Sequence, residues 1–300
     1  MSTNQFPSTT QSVTNPLENS ATPPAGPAST TSGRRDAFRQ LFLALWTWFA
    51  SAALLLVVPL LVATPYLIYK SSIQSGLRPE SLVGDKTLIL LSLLGVIPAH
   101  VFSFLIVWAV VTSWGKRPFW ETIRWSWPEN FGPWKSVLFA IALLLLGSMI
   151  TYAVGGKETQ LDLFIKSSYA ARVTTAFLAA VTAPFVEELI YRGVLYSALE
   201  RAFGLVCAVI VVSMLFAAVH LYQYYNNLGV IAVISMLSIS LTLVRAFSGR
   251  LLPCFVMHAV FNGIQSVFLV LEPYLENLRH ADKEKAAVIY LLELVVRHLR

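Results

Sequence analysis

The chain has 300 residues, 56% hydrophobic and 13% charged, with a mean hydropathy of +0.65 and a net charge of +6. A soluble globular domain is nearer a quarter charged, so that class is excluded in favour of a polytopic membrane protein. The basic excess reads as loops beside a bilayer; no basic stripe interleaved with aromatics marks a nucleic-acid partner.

Residues 1–33 are rich in Ser, Thr, Pro, Asn and Ala and hold few large apolar side chains. Such a segment buries too little surface to offset its ordering entropy and is expected to be a disordered tail. It lacks the basic region and apolar core of a signal peptide. Arg34, Arg35 and Arg39 precede a first span at about Leu41 to Tyr69, where Pro59 and Pro65 predict a kink or an early end. A second span covers about Thr87 to Trp114. The basic, Trp-dense loop GKRPFWETIRWSWPENFGPWK then fits the headgroup level. A third span runs from about Ser136 to Val154, followed by a hydrophilic stretch at 155–168.

Residues 34–169 thus form an N-terminal set of membrane helices and amphipathic loops. A core at 170–271 follows, with spans at about Ala170 to Leu199, Val206 to Tyr222, Val230 to Phe247 and Leu251 to Leu271. Gly204, the Asn226–Gly229 segment and the SGR tripeptide punctuate them. Residues 272–300 carry a last apolar stretch, Ala286 to Val296, which reads as an interfacial helix or an eighth, partial span. The expected fold is all-α, a transmembrane bundle of seven or eight helices. Lys and Arg are more frequent in the N-terminal tail and even-numbered loops than in the odd-numbered loops, which predicts a cytoplasmic N-terminus. Cys207 and Cys254 lie in apolar segments without metal-ligand spacing and read as packing residues.

A charge at the bilayer centre costs about 2.5 to 3.5 kcal/mol on insertion scales, so each ionisable group within a span calls for a reason. These are His100, Glu187, Glu188, Arg192, His220 and His258, with Arg245 near a span end. Glu188 and Arg192 are four apart, acid first, and are placed to pair along one helix face. Glu187 is turned by about 100° from Glu188 on the 3.6-residue period and has no partner at that spacing, because position 191 is Tyr. Phe216 and His220 share a face, as do His258 and Asn262. Taken singly, each histidine is accounted for by helix packing or interhelical hydrogen bonding. His100 reads mainly as packing, with lining of a cavity as the alternative, and His280 and His298 carry no assigned function. Taken together, one unpaired carboxylate, two imidazoles and an amide on three apolar helices suit an intramembrane polar pocket. A carboxylate beside an imidazole suits activation of water, and a second His with an Asn suits an oxyanion. Glu and His groups of this kind also suit a metal with an open position. The chemistry indicated is hydrolysis of an acyl bond.

EELIYR, FAAVH and HAVFN, in this order on successive apolar segments, resemble the EExxxR, FxxxH and HxxxN motifs of the CAAX-processing and bacteriocin-processing (CPBP, Rce1-like or Abi) family of intramembrane proteases. The resemblance covers about Ala170 to Ser266. It implies a helical membrane fold with a catalytic cavity opening toward one leaflet, and cleavage of membrane-associated, in some members prenylated CAAX-type, proteins or peptides. By the same resemblance, Glu187 with His220 activates the water, His258 and Asn262 stabilise the oxyanion, and Glu188 and Arg192 are supporting, with Phe216 beside them. A glutamate mechanism needs no cofactor. The metalloprotease reading would use Zn on Glu187, His220 and His258, although no HExxH is present. Two other readings stand beside this: a non-proteolytic scaffold or immunity protein of the same family, and a transporter or proton relay.

Overall fold

The computed structural model describes residues 31–74 and 80–281. The expected tail at 1–33 lies outside this range except for its last three residues, and the expected partial span at 286–296 lies outside it altogether.

The described chain is all-helical, with no strand. The long helices are α1 (Thr31–Ile73), α3 (Lys86–Thr112), α5 (Pro133–Val154), α9 (Tyr196–Tyr224), α10 (Leu228–Ser248) and α11 (Leu252–Ala281). Short helices α2 (Glu80–Val83), α4 (Phe119–Thr122), α6 (Gln160–Ser167), α7 (Tyr169–Phe177) and α8 (Ala183–Glu188) lie between them. Two π-helical turns, Leu178–Thr182 and Leu189–Leu195, flank α8. Six helical stretches are long and apolar enough to cross a membrane, and the fourth, Tyr169–Tyr224, has 56 residues. At about 1.5 Å per residue that is more than twice the roughly 30 Å of a hydrocarbon core. Gly204, at φ 82° and ψ 175°, breaks it into two limbs. The two limbs restore the seven expected spans. Large apolar side chains such as Phe42, Leu56, Met149 and Met214 face outward, as lipid contact requires. The protein is an integral, multi-pass membrane protein.

Of the two outcomes expected at the prolines, a kink or an early end, the early end is corrected. Helix α1 does not end at Pro59 or Pro65 but runs through both. Neighbouring helices stabilise proline-interrupted membrane helices, and here α3 crosses α1 so closely that a Cβ at Gly95 would lie 2.6 Å from Pro59 Cα. The Trp-rich loop also packs into the bundle: Phe119 and Ile123 are buried, and the Trp125 ring packs on Phe185 and Phe255 at 5.8 and 5.1 Å. The hydrophilic stretch at 155–168 contains helix α6, started by a reciprocal capping box between Thr159 and Asp162.

The core has one apolar cluster joining α1, α3, α8, the second π-turn and α9, and another joining α5, α10 and α11. The acidic motif sits where they meet.

Candidate active site

Proline 184 explains the backbone around the acids. The first π-turn shifts the hydrogen-bond register, so that the Ala183 N–H reaches Leu178 O rather than Ala179 O. The next amide that would serve Ala179 O in π register belongs to residue 184, which is proline and has none. Asn262 Nδ2, from α11, donates to that carbonyl at 3.1 Å. A buried carbonyl left unpaired by the chain's own geometry is thus satisfied by another helix. The second π-turn is held in a comparable way, with Arg245 Nε of α10 donating to Arg192 O at 3.1 Å.

Between these turns the two acids part company. Glu188 is fully buried, and its Oε1 accepts from Arg192 Nη1 at 2.8 Å and from His258 Nδ1 at 2.9 Å. Its Oε2 is buried without a hydrogen-bond partner among the described residues. Arg192 is also fully buried and spends its remaining donors on α10: Nη2 on Ser238 O at 3.0 Å and Ser238 Oγ at 2.8 Å, Nε on Thr242 Oγ1 at 3.3 Å. Its guanidinium lies 4.9 Å from the centre of the Phe216 ring, within cation–π range. The expected Glu188–Arg192 pair is therefore present, as one part of a buried network spanning three helices.

Glu187 is 21% exposed, and its nearest ionisable partner is His258 Nε2 at 3.8 Å, beyond hydrogen-bond distance. The His258 ring thus stands between the two acids. Glu188 Oε1 is paired with a guanidinium and acts as an acceptor, so Nδ1 of His258 carries a proton and Nε2 faces Glu187. His220 Nδ1 lies 2.7 Å from Phe216 O. A carbonyl only accepts, so Nδ1 donates, and Nε2 is the basic nitrogen of the neutral ring. Phe216 is the common neighbour: its ring centre is 4.9 Å from that of His220 and 6.0 Å from that of His258. The ring of Tyr191 packs edge-on against Phe216, and its hydroxyl accepts from Trp48 Nε1 at 3.1 Å.

Phe216 thus brings His220, His258 and Arg192 together, Glu188 joins them through Arg192 and His258, and Glu187 is tied to the group through His258 alone among the described contacts. His258 and Asn262 share a face of α11, yet His258 contacts the acids while one amide N–H of Asn262 serves the π-turn. His100 is buried on α3, with Nδ1 2.9 Å from Thr182 Oγ1 in the first π-turn. It too lies within electrostatic reach of Glu187. Among the described residues no three His, Cys, Asp or Glu side chains converge as a metal site. Glu187, His220 and His258 do not converge at metal-ligand spacing among these residues.

Residues 169–264 match the family model for type II CAAX prenyl endopeptidases, Rce1-like. That similarity covers about a third of the chain. The match spans Glu187, Glu188, Arg192, His220, His258 and Asn262, and leaves His100 outside it. No curated protein matches the chain, and no solved structure does.

Proposed function

We propose that the Rce1-like core at 170–271 is an intramembrane endopeptidase that cleaves a peptide bond of a membrane-associated protein or peptide, of the prenylated CAAX type, with water activated by Glu187. The observation that carries this reading is the division of labour between adjacent acids. Glu188 is consumed by Arg192 and His258, whereas Glu187 is partly exposed and has no ion pair closer than 3.8 Å among the described residues. A carboxylate kept in an apolar bundle at such cost, without a structural partner, is suited to proton transfer.

In this mechanism Glu187, helped by the basic Nε2 of His220, takes a proton from water as its oxygen attacks the scissile carbonyl carbon. Negative charge develops on the carbonyl oxygen. The second Nδ2 proton of Asn262 and the Nε2 proton of His258 in its doubly protonated form stabilise it, while Glu188, shared with Arg192, holds the His258 ring through Nδ1. The proton held by Glu187 then passes to the leaving amine. No step runs through a metal ion. Glu188, Arg192 and Phe216 position these groups.

The test is cleavage of a farnesylated peptide by the full chain in liposomes. Glu187→Gln is expected to lower kcat by about 10²- to 10⁴-fold, the range for a lost general base, with unchanged insertion and monodispersity. Equal cleavage by wild type and Glu187→Gln would remove Glu187 from the mechanism. Equal cleavage of the unprenylated peptide would remove the prenyl group from the substrate class. A scaffold or immunity role instead requires no turnover by the wild type and partner binding unaffected by Glu187→Gln.

A further inference from the structure

A second polar feature lies away from the acids. A cavity of about 560 Å³ opens where α1 begins, α3 ends, the Trp-rich loop folds back, α9 begins and α10 ends. Chain direction puts all these points on one face of the bundle. Five arginines line the cavity, Arg39, Arg117, Arg124, Arg201 and Arg245, against two acids, Asp36 and Glu200. Neither Glu187, His220, His258 nor Asn262 lines it.

Ion pairing does not account for this cluster. No carboxylate lies within 4 Å of any of the five guanidinium groups among the described residues. Glu200 Oε1 instead accepts from Tyr196 OH at 2.7 Å. Arg201 spends Nε on Ser197 O and is within electrostatic reach of two like charges, Arg124 and Arg117, against one acid, Glu200. Arg245 is the decisive member. It is 5% exposed, and its one hydrogen bond among the described residues is from Nε to Arg192 O, which leaves the outer nitrogens of its fork without a described partner at the cavity wall. A buried cation without a close carboxylate is costly; Glu200 offsets part of that cost for Arg245 and the like charge of Arg124 adds to it. An anion in the cavity removes it. The fork geometry of several arginines matches the oxygens of phosphate, each accepting charge-assisted bonds.

We propose that this cavity is a phosphate-binding site, with Arg245 as its buried anchor and Arg117 and Arg124 at its mouth. The favoured source of the phosphate is the headgroup of an acidic phospholipid. The site lies where transmembrane helices end, at the level where basic pockets meet lipid headgroups, and Trp114 and Trp120, both exposed, flank it in the same loop.

The experiment uses the purified full chain in non-ionic detergent with equal amounts of phosphatidylglycerol and phosphatidylcholine of matched acyl chains. Native mass spectrometry reads the retained lipid, and thermal unfolding is followed in parallel with inorganic phosphate or chloride at equal ionic strength. Wild type is expected to retain phosphatidylglycerol about tenfold over phosphatidylcholine, and Arg245→Gln to abolish that preference. Because Arg245 also holds the second π-turn, the exposed double variant Arg117→Ala/Arg124→Ala is the second arm. It is expected to lose roughly fivefold or more in preference at unchanged melting temperature. Lipid retention that survives millimolar inorganic phosphate identifies the headgroup; displacement, with thermal stabilisation by phosphate itself, identifies a soluble phosphate compound. Two results overturn the proposal. One is no preference for phosphatidylglycerol together with no stabilisation by phosphate. The other is an equal loss of preference in Lys157→Ala/Lys166→Ala, which removes two charges from the opposite face. These readouts are independent of proteolysis.

Discussion

Replacement of Arg192 by Met tests the buried network most directly. Met has nearly the length of the aliphatic stem of Arg but none of its donors. The substitution removes the 2.8 Å bond to Glu188, both contacts to Ser238 and the bond to Thr242. Ser238 and Thr242 lose little, because the Thr242 hydroxyl keeps its own bond to Ser238 O at 2.7 Å. The main loss falls on Glu188, which is fully buried and would be left with His258 Nδ1 as its one donor. Breaking a buried pair by removing one partner costs about 3 to 5 kcal/mol, whereas removing both charges together is often nearly neutral. Arg192→Met is therefore expected to destabilise by about 3 to 5 kcal/mol. Glu188→Gln/Arg192→Met should recover at least about half of that loss, giving a coupling energy of roughly 2 kcal/mol. Reversible unfolding in mixed micelles of non-ionic detergent and dodecyl sulfate measures all members of the cycle. A cost below about 1 kcal/mol for Arg192→Met, or a double variant no more stable than the single one, would refute the view that Arg192 exists to neutralise Glu188.

Three further outcomes follow from the packing and the caps. Gly95→Ala places a Cβ 2.6 Å from Pro59 Cα and should cost about 1 to 3 kcal/mol in the same unfolding assay; Gly84→Ala, with nothing within 4 Å, should stay within about 0.5 kcal/mol. Asp85 caps α3 and is held to a pKa of about 2: burial alone would raise it, but hydrogen bonds from Lys70, the Leu88 N–H and Tyr66 outweigh that effect. A depressed carboxylate stabilises above its unfolded pKa of about 3.9, so the wild type's advantage over Asp85→Asn should be about 1 kcal/mol near neutrality. It should shrink as pH falls from about 4 to about 2 in unfolding curves of both proteins. Asn262→Ala should cost about 1 to 3 kcal/mol by orphaning Ala179 O; in a Pro184→Ala background, which restores an amide at residue 184, the cost should fall, and equal costs in both backgrounds would discard this account of the π-turn.

What the sequence made legible follows from the range of the interactions. The Glu188–Arg192 pair was readable because both residues lie on one helix at a spacing that meets even where the register slips into π. The spans were readable from apolar length, and the break between the fourth and fifth from Gly204. The tie of Arg245 to Arg192 O joins residues 53 positions apart, and that of His258 to Glu188 joins residues 70 apart. No local pattern encodes such contacts. The π-turns were missed for a different reason. Their register is set by side chains arriving from α10 and α11, although Pro184, a missing amide inside an apolar helix, was a signal that a carbonyl nearby would need an outside donor. Asn262 appeared in sequence as the neighbour of His258 on one face, and that same position also lets it supply the donor.

The charges of the core can now be counted by partner. Arg192 and Glu188 offset each other, with His258 donating to the acid. Arg245 has a backbone carbonyl for a partner and an arginine-lined cavity in front of it. Glu187 has no closer ionisable group among the described residues than His258 Nε2 at 3.8 Å. A bundle built only for stability would lack both of these unbalanced charges, since burying either costs free energy that packing must offset. Their positions are not alike: one faces the histidines, the other faces the ends of the helices. The second π-turn connects them, because Arg192 joins Glu188 through its side chain and Arg245 through its carbonyl. Loss of the Arg245 bond would free the Arg192 carbonyl and slacken the turn that aims the guanidinium at Glu188. The acid that carries the proposed chemistry and the cation that carries the proposed phosphate are thus separated by a single braced turn of helix.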